Sequence, residues 1–362
     1  MNVLEIINSL GTRGGAETFS VALSKALNEK CKLSVVILYK NNNKELLDEL
    51  NEAQISPIVL DKRHSVDFGV SKRLRKIIEE RKIDVIHTEN NALFSAFFGI
   101  IFMHKKPTLF HTFHLPAAEE RRDKFGRILE RRILKRKYVT PIALSERMAK
   151  NVKEFYHFSY VPSINNGVDL SRFFPGVSLS KRIKKCVIFA RFTKQKNYPF
   201  VLDVFEETHK LDPSISFEIY GMGELEEEIK KLVYLKGLTN SVAIKGITQC
   251  PENVMRESRV VFLGSSYEAF PMVLIEAMAC GCIVVSTDVD GVSDAVENGK
   301  NGFLYSPFED PSTLAKKLTE IENHPDEFQS ISDYNGQYSK KFSIDFVADN
   351  YLSLFQKNEK RN

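Results

Sequence analysis

Short apolar runs alternate with helical periodicity through the first 165 residues. "VLEII" precedes "GGAETFSVALSKAL", and "LSVVIL" is followed by a helical pattern from Lys44 to Asn51. "IDVIH" and "PTLFHTF" read as further strands, each with a helix behind it, and "VTPIAL" and "YVPSI" close the series. This is the rhythm of a doubly wound parallel sheet.

The rhythm then restarts. "KKCVIFA", from Lys184 to Ala190, reads as a strand after the polar stretch "GVSLSKR". A helix from Tyr198 to Lys210, strand "ISFEIYG", a helix from Glu224 to Lys236 and strand "SVAIKG" come next. A helix around Glu252, strand "RVVFLGSS", a helix from about Pro271 to Cys280 and strand "CIVVST" continue the series. The chain ends on the amphipathic helix "SIDFVADNYLSLFQ". The architecture repeats although the sequence does not. The expected domains are residues 1–168 and 169–342, with the helix at about 343–358 free to pack back on the first. Two α/β domains imply a cleft, and ligands of open α/β sheets collect at strand carboxyl ends.

Composition narrows the class. The 362 residues are 43% hydrophobic and 27% charged, which is ordinary for a soluble globular protein. The run Ala92–Met103 is too short for a bilayer, which needs about 20 residues, and reads as a buried helix. "MNVLEIINSL" lacks the basic start and long apolar core of a signal peptide. The five cysteines include no CxxC pair and read as reduced, mostly buried thiols of a cytosolic protein. Net charge is only +4, but residues 119–137 carry nine basic and four acidic side chains. Phe125, Ile128, Leu129, Ile133 and Leu134 recur there at helical spacing. The segment reads either as a solvated helix with its apolar stripe on the core or as a contact for anionic lipid. No recognised module accompanies it that would bind nucleic acid.

Candidate chemistry gathers at strand ends. In "SSYEAFPMVLIEAMACG", Pro271 suits the first turn of a helix and Gly281 its C-terminal cap. Glu268 then lies in the loop before that helix, beside outward-facing N–H groups, and Glu276 one and a half turns inside it, able to accept from the two hydroxyls of a ribose. In "FARFTKQKNYP", Arg191 and Lys196 follow a strand and together suit a departing diphosphate without a metal. In "LGTRGGAE", Gly14 and Gly15 would let backbone approach a ligand at the start of a helix, but Gly11, Gly14 and Gly15 lack dinucleotide GxGxxG spacing.

Together these segments resemble the retaining GT-B glycosyltransferases of family 4, also called group 1. The opening stretch resembles that family's E-x7-E signature, and "ARFTKQKN" its phosphate-binding G-R-L-x-x-x-K-G. "IYGMGELEEEI" resembles its GxGP segment, "INNGVDLSRFFP" its PNGVDxxxF, and "STDVDGVSDAVENGKNGFLYSP" its glycine-pair segment. The matches fall in family order and are strongest from Lys184 to Pro307.

The resemblance implies an α/β GT-B fold: two Rossmann-like domains facing a cleft, the first binding acceptor and the second nucleotide sugar. It implies a retaining, metal-independent hexosyltransferase that moves a sugar from a UDP-sugar to an acceptor hydroxyl, in bacterial surface polysaccharide or glycolipid synthesis. Arg191 and Lys196 would hold the diphosphate and Glu276 the ribose. Glu268, with Phe270, Pro271, Met272 and Val273, would meet the donor sugar. Gly14, Gly15 and Gly221 would approach the donor by backbone. "HTFH" resembles the family's T-x-H, which makes His114 a catalytic-site contact to the donor sugar and His111 structural.

The chain departs from the family pattern at Ala190, Ala269, Asp290 and Asp294. "DVD" at 288–290 has the form of a metal-binding motif but falls in the glycine-pair loop, so no metal or other cofactor is expected. The expected partners are a UDP-sugar and a saccharide or lipid-linked saccharide acceptor. The expected location is the cytoplasm, with the inner membrane face as a docking surface for 119–137. A non-catalytic partner subunit and a nucleotide-sugar epimerase remain the alternatives.

Overall fold

The computed structural model describes residues 1–11, 14–64, 67–115, 117–120, 124–136 and 138–359. The chain divides into two compact units: residues 1–167 with the segment from Ser343 onward, and Val168–Phe342.

The first unit holds β1 (Asn2–Ile7), β2 (Lys32–Ile37), β3 (Ile58–Val59), β4 (Val85–Glu89), β5 (Thr108–Phe113) and β6 (Val139–Ala143). They form one parallel sheet in the order β3-β2-β1-β4-β5-β6. Its helices are α1 (Gly15–Asn28), α2 (Lys44–Glu52), α3 (Phe68–Glu80), α4 (Leu93–Ile100), α5 (Ala117–Glu120), α6 (Lys124–Leu134) and α7 (Glu146–Tyr156). Asn43, Asp67 and Ser145 start α2, α3 and α7 by accepting the N–H groups of Leu46, Val70 and Met148. Each cap satisfies a donor that the first helical turn leaves without a partner, an effect of about 1 kcal/mol.

Helix α4 is buried around nearly its whole circumference, as its predominantly apolar sequence requires. Among the described residues no helix is long and apolar enough to cross a membrane. The stretch "YVPSI" does not form the expected strand: it makes a single bridge between Ala143 and Ser163. Pro162 has no N–H to continue a ladder.

The second unit repeats the plan with β7 (Ile183–Phe189), β8 (Ser216–Tyr220), β9 (Val242–Gly246), β10 (Ser258–Leu263), β11 (Ile283–Thr287) and β12 (Phe303–Tyr305). The order is β12-β11-β10-β7-β8-β9, again all parallel. Helices α8 (Tyr198–Leu211), α9 (Glu226–Leu235), α10 (Pro251–Glu257), α11 (Met272–Ala279), α12 (Pro311–Asn323) and α13 (Gln329–Tyr338) cover it. The core holds Phe205 stacked on Phe217, with Phe262 and Ile188 beside them.

The last helix, α14 (Ile344–Glu359), belongs to the first unit. Val347, Tyr351 and Phe355 of α14 are buried in the core that contains Val3, Phe19 and Phe110. Burying a ring such as Phe355 contributes roughly 2–3 kcal/mol. Cys186, Cys280 and Cys282 are buried, Cys31 is half-buried, Cys250 is exposed, and all five are free thiols.

Candidate active site

In a doubly wound sheet the strand order reverses at one point, and the loops leaving the two strands there open away from each other. In the second unit those strands are β7 and β10. The loop after β7 passes through a short 3-10 turn, Lys194–Lys196, and ends at Asn197 in the left-handed region (φ 49°) before α8 begins. The loop after β10 runs from Gly264 to Pro271, which caps α11.

These loops are fastened together. The Gln195 carbonyl accepts from the Ser266 N–H at 2.8 Å, and the Gln195 side-chain amide donates to the Tyr267 carbonyl at 2.8 Å. One residue on, Lys196 Nζ lies 2.5 Å from Glu268 Oε1, with side chains only 13% and 9% exposed. Lys196 and Glu268, predicted to serve different parts of a ligand, are therefore partners of each other. Arg191 is exposed, and its backbone carbonyl accepts from the Thr193 N–H.

Two glycines set the loop packing. A Cβ on Gly221 would lie 2.0 Å from the Ala190 carbonyl oxygen, so the loop after β8 can approach the loop after β7 only at a glycine. The Gly221 N–H donates to the Gly246 carbonyl at 2.8 Å. This packing explains Gly221 without a ligand. Gly291 (φ 84°) presses its backbone on the glutamate loop, where a Cβ would lie 2.1 Å from the Ala269 carbonyl oxygen.

Helix α11 begins one residue later than expected, with Pro271 as its cap, and Met272 and Val273 are half-buried in its first turn. Their N–H groups have no partner within the helix. Phe270 is buried, its ring 5.7 Å from Phe342. Gly281 (φ 72°) ends the helix as predicted, and the Cys282 N–H closes back on the Ala277 carbonyl at 2.9 Å.

Glu276 is half-buried and makes no side-chain hydrogen bond or ion pair among the described residues. Burial pushes its carboxyl up to about 7; the Arg172 charge opposes the rise and Glu252 adds to it. Arg172 and Glu252 pair with each other at 2.9 Å. Sequence reading missed both, because 80 residues separate them and neither falls in a quoted motif as a charged position. Asp288 and Asp290 of the "DVD" stretch are exposed.

In the first unit the order reverses between β1 and β4. Gly14, in extended backbone, precedes α1, and Gly15 begins it. Their neighbours Thr12 and Arg13 lie outside the described residues. His114 follows β5, with Nε2 3.7 Å from Glu89 Oε2 at the end of β4. Glu89 is fully buried and also accepts the Ser20 hydroxyl of α1. Burial opposes its ionisation, but nearby His114, with the His87 charge and the Ser20 hydroxyl, prevails and holds its carboxyl below its usual range. His111 is buried with Nδ1 3.0 Å from the Thr88 hydroxyl.

Behind Glu89 a buried chain continues inward. His87 places Nδ1 2.9 Å from Glu5 and Nε2 2.8 Å from the Thr112 hydroxyl, which meets the Tyr351 hydroxyl of α14 at 3.2 Å. Burial raises the Glu5 carboxyl. Glu5, His87 and Glu89 bring ligand-type atoms within 4.8 Å of one another, the spacing of a metal site. Both His87 ring nitrogens are already engaged, by Glu5 and Thr112, which leaves neither free to ligate a metal.

The basic segment is partly described. Of its residues, 121–123 and 137 lie outside the described residues. In α6, Ile133 and Leu134 are buried, Glu130 is buried and accepts the Tyr156 hydroxyl at 2.5 Å, and Ile128 is 53% exposed beside exposed Arg131 and Arg132. The predicted apolar stripe is therefore split between core and solvent.

Two like-ordered parallel sheets, with polar loops at their reversal points, define the GT-B fold of nucleotide-sugar transferases. The first unit matches the sequence profile of glycosyltransferase family 4 over residues 13–172, and the second that of the group 1 glycosyl transferases over 174–338. The chain belongs to the group 1 glycosyltransferases.

It is 30% identical over 170 residues to the poly(ribitol-phosphate) alpha-N-acetylglucosaminyltransferase of Staphylococcus aureus (strain COL), an alignment that takes in 46% of this chain and 34% of that protein. The chain thus spans about a third of that relative. It is 26% identical over 350 residues to the capsular polysaccharide biosynthesis glycosyltransferase CapH of Staphylococcus aureus, 90% of this chain and 92% of CapH. The crystal structure of Anabaena HepE in complex with UDP and glucose superposes with a TM-score of 0.82 at 18% identity, covering 99% of this chain and 100% of HepE.

Proposed function

We propose that this glycosyltransferase moves a sugar from a UDP-sugar to an acceptor hydroxyl, with retention at the anomeric carbon and without a metal, in the assembly of a bacterial surface polysaccharide or glycolipid. The observation that carries this reading is the arrangement at the reversal point of the second sheet. There a lysine–carboxylate pair, Lys196 and Glu268, ties the two loops together, and the Glu276 side chain on the adjoining helix has no partner of its own among the described residues.

In this reading Lys196 and Arg191 hold the diphosphate, and Glu276 accepts the two ribose hydroxyls. Glu268, with backbone of Phe270, Met272 and Val273, orients the donor sugar. Pro271 has no N–H and contributes only the turn. His114 meets the donor sugar, and Gly14 and Gly15 offer the start of α1 to an anion. The retaining course and metal independence come from the family resemblance. In it, the acceptor attacks from the face the phosphate leaves, and the departing phosphate oxygen takes the acceptor proton. Fixed cations and N–H groups stabilise the charge that develops on the leaving group.

The UDP of the HepE complex supports the donor, and the name of CapH supports the pathway class. Exposed Ile128, Arg131 and Arg132 support a docking role for α6 on the anionic cytoplasmic face of a membrane, with a lipid-linked acceptor. Turnover of UDP-glucose, UDP-galactose and UDP-N-acetylglucosamine, with and without saccharide acceptors, tests the reading. UDP release that depends on acceptor separates transfer from epimerisation. Glu276→Ala and Lys196→Ala are expected to lower transfer at least 100-fold in folded protein; near-normal transfer by either overturns the assignment.

A further inference from the structure

The carboxylate of Glu89 has no place in the donor site proposed above, yet it is fully buried at the carboxyl end of β4, beside the reversal point of the first sheet. Its Oε2 faces Nε2 of His114 at 3.7 Å and is bonded by the Ser20 hydroxyl. Phe19, the residue before Ser20, sets its ring edge-on to the His114 imidazole, centroids 6.4 Å apart. Successive residues of α1 therefore hold the carboxylate and the ring it faces. A buried carboxylate is costly unless it meets a donor or a cation, and here the group within reach at the outer end is an imidazole.

The inner end has its own arrangement. Glu5 is matched to His87, and His87 to Thr112, whose hydroxyl meets Tyr351. The two carboxylates thus sit in unlike settings. Burial raises Glu5, whereas Glu89 is held ionised by the groups around it.

We propose that Glu89 is the positioning residue for His114: anchored by Ser20, its carboxylate orients the imidazole and holds it in the charged, N–H-donating form against an oxygen of the donor sugar. This rests on the reading of His114 given above. Among the described residues, the other titratable groups that act on the pair are Glu5 on β1, His87 on β4 and Tyr351 on α14. Replacing Glu89 by glutamine keeps the shape and one acceptor oxygen for Ser20 and removes the charge. Replacing it by aspartate keeps the charge on a shorter arm.

The test uses the full chain. Histidine resonances are titrated by NMR in wild type, Glu89→Gln, Glu89→Asp and Ser20→Ala, with His114→Ala to assign the signal. Removing an opposite charge at this range lowers an imidazole midpoint by about one pH unit or more. Glu89→Gln is therefore expected to drop the His114 midpoint by at least that much. It should also cut kcat about 10- to 100-fold, for the UDP-sugar turned over fastest in the panel above, with donor KM within about threefold. Glu89→Asp is expected to restore most of both, and Ser20→Ala to move the midpoint in the same direction by less, which serves if Glu89→Gln does not fold. An unmoved His114 midpoint in Glu89→Gln or Ser20→Ala overturns the inference, as does full kcat in Glu89→Gln when His114→Ala has lost it. Full kcat in His114→Ala overturns instead the role given to His114, and the titration then still reports whether Glu89 governs the ring.

Discussion

The two units share a strand order and differ in how they handle charge. In the second, the charges at the reversal point lie mostly in loops: Arg191 is exposed, Lys196 and Glu268 are nearly buried and paired, and the Glu276 carboxyl on α11 has no partner among the described residues. In the first, charge sits on the sheet itself in two buried pairs, Glu5 with His87 and, at the end of β4, Glu89 with His114. Loop charges can re-pair with a ligand at little structural cost. Charges buried within strands are matched to one another and can act on a ligand only through the residue at the end of the chain. The same topology thus carries loop charges at the reversal point of one unit and strand-borne charges at that of the other.

If that contrast is right, the first unit should be the more sensitive to losses in its core. Phe355 packs 4.7 Å from Phe110 and 5.9 Å from His87, so α14 forms one wall around the buried chain. Phe355→Ala is expected to cost about 3–5 kcal/mol by removing apolar contact and leaving a cavity. Denaturant unfolding should show the loss in a transition that carries the first unit. UDP binding, which the second unit is proposed to supply, should persist at denaturant concentrations where the first unit has unfolded. Loss of UDP binding in step with the first transition would erase the contrast.

The loop pair is the next test. Truncating one partner of a nearly buried ion pair leaves the other charge uncompensated, typically a loss of about 3–5 kcal/mol, whereas removing both is much milder. Glu268→Gln should accordingly destabilise the second unit more than the double variant Lys196→Met, Glu268→Gln. Bound UDP should recover part of the loss in Glu268→Gln, because Lys196 regains an anion. A double variant less stable than Glu268→Gln would mean that the pair does not clasp the two loops.

Much of this arrangement was legible in the sequence, and the illegible parts have physical reasons. Strand and helix order showed because long apolar runs and helical periodicity are local. β3 and β12 did not show, because two or three residues carry no period. "YVPSI" looked like a strand by composition and failed at its proline. Most candidate residues were sought where they follow strands, since that position brings them to the carboxyl edge. Their partners were not: Lys196 and Glu268 are 72 residues apart, and Arg172 and Glu252 are 80. Glu89 escaped notice because nothing in "IDVIHTEN" distinguishes a buried acid at a strand end from a solvated one.

The smallest effect should be the most diagnostic, because pH separates the two kinds of charge without a change in fold. Burial pushes the Glu276 carboxyl up to about 7, from an ordinary value of 4.5. A raised acid binds its proton more tightly folded than unfolded, so its contribution favours the folded state at low pH and is lost as pH rises from about 4.5 to about 7. Ribose hydroxyls need the carboxylate as acceptor, so UDP binding should run the other way. It should be about tenfold weaker at pH 6 than at pH 8, one pH unit below 7 being a tenfold deficit of the ionised form. UDP titrates in the same range, so the comparison is with Glu276→Gln, whose profile carries only the nucleotide's own protons. Calorimetric titrations at pH 6, 7 and 8 should show the steeper slope in wild type, and melting curves over the same range should show wild type losing stability relative to Glu276→Gln as pH rises from 5 to 7. Parallel slopes would mean that Glu276 does not change charge on meeting the nucleotide, and the free carboxylate of the second unit would then be as structural as the matched ones of the first.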